Sequence, residues 1–249
     1  LAVVVPFWVV ELLPLLDIPQ HIATIGVMHH FGDPSWGYDQ SFVIEAGSTQ
    51  YLLYYVVCDW LAHIVGVENA NKVFLSTYAL LLPLSLLYFL HVFGRIRAAA
   101  LLAFPLVFNK FLFYAFINYV FAIPFLFFGL ALLKRALDDP ETNRWRELLL
   151  LLCSLTVFYS HLQIFLVYVG GMGLLALMHW PCRNRFVIRL LHLLPAVILF
   201  ALWARSDMAG GEVWEEQVSK RYASLTGSEW EPMWKTFREF QDRVLAVHE

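Results

Sequence analysis

Long apolar runs separated by short polar breaks make up most of the chain. A helix that crosses the roughly 30 Å hydrocarbon core of a bilayer needs about 20 apolar residues. Residues 72–93 form one uninterrupted run of that kind, about 33 Å long as a helix. Residues 98–137 are apolar for two passes, broken by Asn109, Lys110 and Asn118, and residues 147–180 for two more, broken at Ser160-His161. With an opening run and a closing run, the pattern predicts seven spans, at about 1–16, 72–93, 98–115, 116–137, 147–160, 162–180 and 187–205. The stretches "RALDDPETNRWRE" and "WPCRNR" are short, polar and basic, and read as loops.

The stretch at 51–66, "YLLYYVVCDWLAHIVG", is ambiguous, being short for a span. Tyr51, Tyr55, Asp59 and His63 recur every four residues, which puts them along one helical face. That is the pattern of an amphipathic helix lying at an interface. Charge favours this reading. If 51–66 does not cross, one side of the membrane receives Arg95, Arg97, Lys134, Arg135, Arg144, Arg146, Arg183, Arg185 and Arg189, and the short loops of the other receive only Lys72 and Lys110. That asymmetry matches the rule that basic loops stay cytoplasmic. The expected fold is therefore all-α and polytopic, with juxtamembrane helices in the first outer loop. The outer side then holds 17–71, the turns at Asn109 and His161, and the tail from 206. Residues 98–108 and 148–159 are too short to cross before those turns, so either the true turns lie later or both tips stop below the outer surface and leave an outward-facing recess floored by Asn109, Lys110, Ser160 and His161.

Composition agrees. The chain is 60% hydrophobic and 15% charged, with a mean hydropathy of +0.63, outside the range of ordinary soluble domains. A net charge of −3 without a basic stripe excludes nucleic acid as a partner. Cys58, Cys153 and Cys182 have no metal-site spacing and form no disulfide framework. The chain opens at Leu1 inside an apolar run and closes on "RVLAVHE", which reads as a piece of a longer polytopic protein. Residues 206–249, of mixed charge and rich in tryptophan, read as an extracytoplasmic amphipathic tail to the 1–205 membrane module.

Candidate chemistry gathers where the first run ends. Residues 17–50 hold Asp17, Asp33, Asp39, Glu45, His21, His29 and His30 and no lysine or arginine. A carboxylate there could act as general base on an acceptor hydroxyl, and Asp17 with His21, four residues on, could hold a divalent metal such as Mg or Mn. Asp17 before Pro19 also has the pattern of a helix N-cap. His29 and His30 read as loop residues. Asp59 and His63 either line the same site or face water. Lys110, His161 and Asn109 stand out by depth, as ligands for a lipid phosphate or as snorkelling and capping residues. Arg205, ending the last run, could pair with a phosphate or with interface lipid. No G-x-S-x-G, P-loop, H-E-x-x-H, C-x-x-C or G-x-G-x-x-G motif is present.

A first run ending in "LLDIPQHIA", an acidic outer loop, the stretch "GSTQYLLYYVVCDWLAHIVGVENANKVFLSTYALLLPLSLLYFL" and the paired apolar helices with "FPLVFNKFLFYAFINY" resemble the membrane module of the GT-C superfamily of integral-membrane glycosyltransferases, over about 1–205. "DIPQHIA" is nearest to a bacterial subgroup of GT-C-like proteins. The resemblance implies a seven-span module in the bacterial inner membrane. It also implies inverting transfer of a sugar from a polyprenyl-phosphate donor, drawn from the bilayer, to an acceptor at the outer face. Asp17 stands where the family carries its catalytic aspartate, although Asp17-Ile18-Pro19 lacks the family's usual second acid. A non-catalytic lipid-binding membrane subunit and a transporter are the alternatives; the facing intramembrane acids and inverted repeats of transporters are not evident.

Overall fold

The computed structural model describes residues 2–44, 50–139, 143–179 and 190–205. Every regular element among them is helical, as the hydropathy pattern predicts: α1 (Ile18–His29), α2 (Leu52–Val65), α3 (Val67–Val92), α4 (Ala103–Val107), α5 (Lys110–Phe113), α6 (Ile117–Asp138), α7 (Arg144–Ser160) and α8 (Leu162–Met178). A last helix, α9, covers Leu191–Arg205. The chain forms two compact units, Leu1–Phe200 and Ala201–Glu249. The tail expected at 206–249 and the arginines at 183, 185 and 189 lie outside the described residues.

Two helices, α3 and α6, are long and apolar enough to cross a membrane. They run side by side, with Phe74 against Phe121 at a ring separation of 4.2 Å and Phe89 against Phe127 at 5.4 Å. α7 returns along α6 and α8 descends again. Gly129 of α6 admits the buried Tyr168 of α8 so closely that an added Cβ would lie 2.4 Å from its ring. The chain ends of these helices gather at two opposite faces of the bundle. At one, Arg146 Nη1 bonds Asp139 at 3.0 Å, and His179 of the segment after α8 sits 3.5 Å from Asp138. At the other lie the α2–α3 joint, the 114–116 turn and His161. The length of α6 separates them by about 33 Å.

Several predicted spans have a different shape. Residues 2–16 do not form a membrane-length α-helix: a 3-10 turn at Ala2–Phe7 gives way to irregular chain. Pro6 and Pro14 each lack a backbone donor, and the valines at 3–5 are poor helix formers. The segment is held by tertiary contacts instead, with Lys72 Nζ donating to the Val10 carbonyl at 2.8 Å and Trp8 Nε1 to Ser76 Oγ at 2.9 Å. Lys72 is thus buried within α3, which starts five residues earlier than the hydropathy run, directly after a single joint residue, Gly66, at φ 80°. The run at 98–115 is also broken, into a 3-10 turn (Arg97–Leu102), α4 and α5. The asymmetry predicted for 148–180 disappears, because α7 starts at Arg144 and matches α8 at 17 residues each.

Candidate functional site

The start of α1 carries the first group of site residues. Asp17 is its N-cap by position, with the His21 amide donating to its carbonyl at 3.1 Å. Its carboxylate makes no capping bond. Pro19 removes one of the first-turn donors that a capping carboxylate would take. Capping therefore does not account for the side chain, which stays partly exposed at the mouth of the helix.

His21 faces inward. Its Nε2 lies 3.0 Å from the Ala115 carbonyl and its Nδ1 2.8 Å from the Tyr55 hydroxyl. A carbonyl only accepts, so Nε2 carries the proton; in the neutral ring Nδ1 then accepts from the phenol. Burial holds this ring below its ordinary 6.5, against the opposing pull of the Ala115 carbonyl and the Asp17 carboxylate. With both nitrogens engaged, His21 has no free lone pair for a metal. The predicted Asp17–His21 pair does not fit a divalent ion, and the chemistry of Asp17 is read without one.

The turn after α5 supplies the facing wall. Ala115 is fully buried at φ 60°, and Tyr51, the N-cap of α2, sits at φ 64°. They are the two non-glycine residues at positive φ among the described residues. Each such residue costs of order 1–3 kcal/mol and persists where its surroundings over-determine it. Here Ala115 presents its carbonyl to His21, and Tyr51 meets the edge of His161 at 5.0 Å.

His161 both ends α7 and caps α8, its Nδ1 accepting from the Gln163 amide at 3.2 Å. That bond puts the ring proton on Nε2. Burial again lowers its affinity for a second proton, so the ring is a neutral donor at pH 7. Tyr119 approaches it from α6, also at 5.0 Å. The capping role and the polar role are thus met by different nitrogens.

Lys110 is exposed and lies 5.4 Å over the Tyr114 ring. It borders an open, mostly apolar cavity of about 680 Å³, lined also by Pro14, Leu15, Leu16, Phe113 and Tyr114. The Leu16 amide donates to the Phe113 carbonyl at 2.9 Å, which ties the residue before Asp17 to the Lys110 helix. A second cavity, of about 260 Å³, is walled by Tyr51, Tyr55, Val27, Met28 and Phe42 among others. Asn109 has a structural task instead: Oδ1 caps α5 by accepting from the Leu112 amide, and Nδ2 donates to the Leu106 carbonyl and the Tyr78 hydroxyl. Arg205 ends α9, exposed, in the second unit.

Two readings of polar residues change. His29 is the last residue of α1, not part of a loop, and its Nδ1 lies 3.1 Å from Asp59 Oδ1. The Tyr51–Tyr55–Asp59–His63 face of α2 is the face that meets α1: Tyr55 takes His21, and Asp59 and His63 take His29, at a His29–His63 ring separation of 4.3 Å. Tyr55 was legible only as part of that face; its four-residue spacing to Asp59 was the available signal. No protein-family model, curated protein or solved structure matches the chain.

Proposed function

We propose that the chain is the membrane module of a GT-C-type glycosyltransferase with seven passes through the bacterial inner membrane, acting at the outer face. In this reading α3 and α6–α9 cross as helices, and 2–16 and 97–116 cross as broken segments. The basic ends at Arg135 and Arg146 lie in the cytoplasm, as the charge rule requires.

The observation that carries the reading is the Asp17 carboxylate, uncapped at a helix mouth beside an apolar cavity edged by a lysine. Asp17 takes the proton of the acceptor hydroxyl as its oxygen attacks the anomeric carbon. The bond from that carbon to the phosphate oxygen breaks, and the polyprenyl phosphate leaves. Lys110 stabilises the leaving charge. The prenyl chain occupies the Leu15, Leu16 and Phe113 wall. His21 acts by position, holding the 115 turn against α1.

Transfer of labelled sugar from polyprenyl-phosphate donors, measured in membranes for wild type and Asp17→Asn, tests the assignment. Unchanged transfer in the variant sinks it. The apolar cavity with a lysine at its edge equally suits a non-catalytic lipid-binding subunit; that reading gains if wild type binds polyprenyl phosphate, loses binding on Lys110→Ala, and transfers nothing.

A further inference from the structure

We infer that His29, Asp59 and His63 form a binding site for a transition-metal ion of the zinc class, joining the end of α1 to α2. This site is separate from Asp17 and does not depend on glycosyl transfer. One ligand atom from each of the three residues lies within 4.8 Å of the others.

The arrangement follows from the helices. Asp59 and His63 are four apart on α2, so they stack on one face. α1 runs alongside in the same direction, pairing His21 with Tyr55 at one level and His29 with Asp59 and His63 two turns on. His29 Nδ1 and Asp59 Oδ1 are already 3.1 Å apart. Two ligands about 2.0 Å from a tetrahedral ion stand about 3.3 Å apart, so this pair needs almost no movement. His63 is the exposed member at the end of α2 and closes the remaining distance by rotating its side chain.

The donor set selects the metal. Two imidazoles and one carboxylate suit zinc and its first-row neighbours, whereas calcium and magnesium prefer all-oxygen shells. Three protein ligands leave a fourth position for water, because His63 faces solvent. His30 is not a ligand: its ring lies flat on Trp36, 4.6 Å away at 15°. It provides the control.

The full chain, purified in detergent through a histidine-free tag and stripped with chelator, is titrated with Zn²⁺ by calorimetry, with metal content measured after dialysis. Wild type is expected to hold one ion per chain at micromolar affinity or better, and to melt at a higher temperature with Zn²⁺ than without. His63→Ala and Asp59→Asn should each weaken binding by more than about tenfold, the loss that even changes outside the ligand shell produce. His30→Ala should bind as wild type does. Because His63 is exposed, its variant keeps the fold, checked by helical content and elution volume. A wild type that retains no zinc, or a folded His63→Ala that binds with unchanged affinity, overturns the proposal.

Discussion

Two helix pairs in this molecule are built on opposite principles. α3 and α6, extended by α7 and α8, meet through tilted phenylalanine pairs and through a glycine set against a buried tyrosine. α1 and α2 meet through His21, Tyr55, His29, Asp59 and His63, with phenol, carboxylate and imidazole pairs at successive levels. The first kind of interface gains from dispersion and close approach, and tolerates no added atom. The second gains little net stability from each polar contact, since each exchanges for water, but it fixes where titratable groups point. A chain that uses apolar packing for its frame can concentrate its polar groups in one short pair, and the proposed chemistry lies beside that pair.

The largest effect expected is on activity alone. Asp17→Asn should leave the melting temperature close to wild type, because its carboxylate makes no capping bond, while sugar transfer falls by about 10²-fold or more, the scale of a lost general base. Parallel loss of stability and activity would show that Asp17 belongs to the frame and not to the chemistry.

The frame breaks elsewhere. Gly129→Val forces branched carbons into the space held by the Tyr168 ring, which is itself tethered to Ser154 Oγ at 3.1 Å. Overpacking of this kind costs about 1–3 kcal/mol. Thermal unfolding in detergent should show it, and an unchanged melting temperature would mean that the α6–α8 contact is looser than its geometry.

How much of this could be read from residues alone differs between the two pairs. α6 was legible within a residue at each end, because after Asn118 it is one apolar run of membrane length. The face of α2 was legible too, since Tyr51, Tyr55, Asp59 and His63 keep a helical period. What that face meets was not, because its partners lie 30 to 34 residues away and no local pattern encodes contacts across such separations. The 2–16 segment misled for a different reason: hydropathy counts apolar side chains and is blind to the donors that Pro6 and Pro14 remove. Asn109 and His161 were recognisable as turn residues, but only the structure shows that each caps the helix that follows, Asn109 Oδ1 accepting from the Leu112 amide and His161 Nδ1 from the Gln163 amide. Asp17 carries its meaning from position: the capping geometry is realised by its backbone and declined by its side chain.

A smaller effect separates the polar pair from the frame. Tyr55→Phe removes the donor to His21 Nδ1 and leaves a half-buried acceptor unpaired, at a cost of about 1 kcal/mol. The shape of the ring is kept, so the His21–Ala115 bond should persist and activity should fall far less than it does for Asp17→Asn. A variant as stable as wild type would show that water replaces the phenol and that the pair is open to solvent.

The smallest effect expected is a dependence on acid. His21 and His161 are both held below 6.5 by burial, so in the folded chain each is neutral where the unfolded chain has begun to take up a proton. Protonation therefore favours the unfolded state. Their contribution is complete above the unfolded value of 6.5 and is lost as the pH falls toward the lower folded values. Other histidines titrate nearby, so the quantity to measure is the difference between wild type and variant. His21→Gln replaces the ring with a group that does not titrate and can still donate to the Ala115 carbonyl; His161→Asn keeps a side-chain acceptor for the Gln163 amide. Each should melt with a shallower decline than wild type between neutral and mildly acidic buffer, while Tyr55→Phe retains the titrating ring and most of the slope. Equal slopes in all four proteins would mean that neither imidazole is shielded from water, and the polar pair would then be a solvated surface in place of a fixed site.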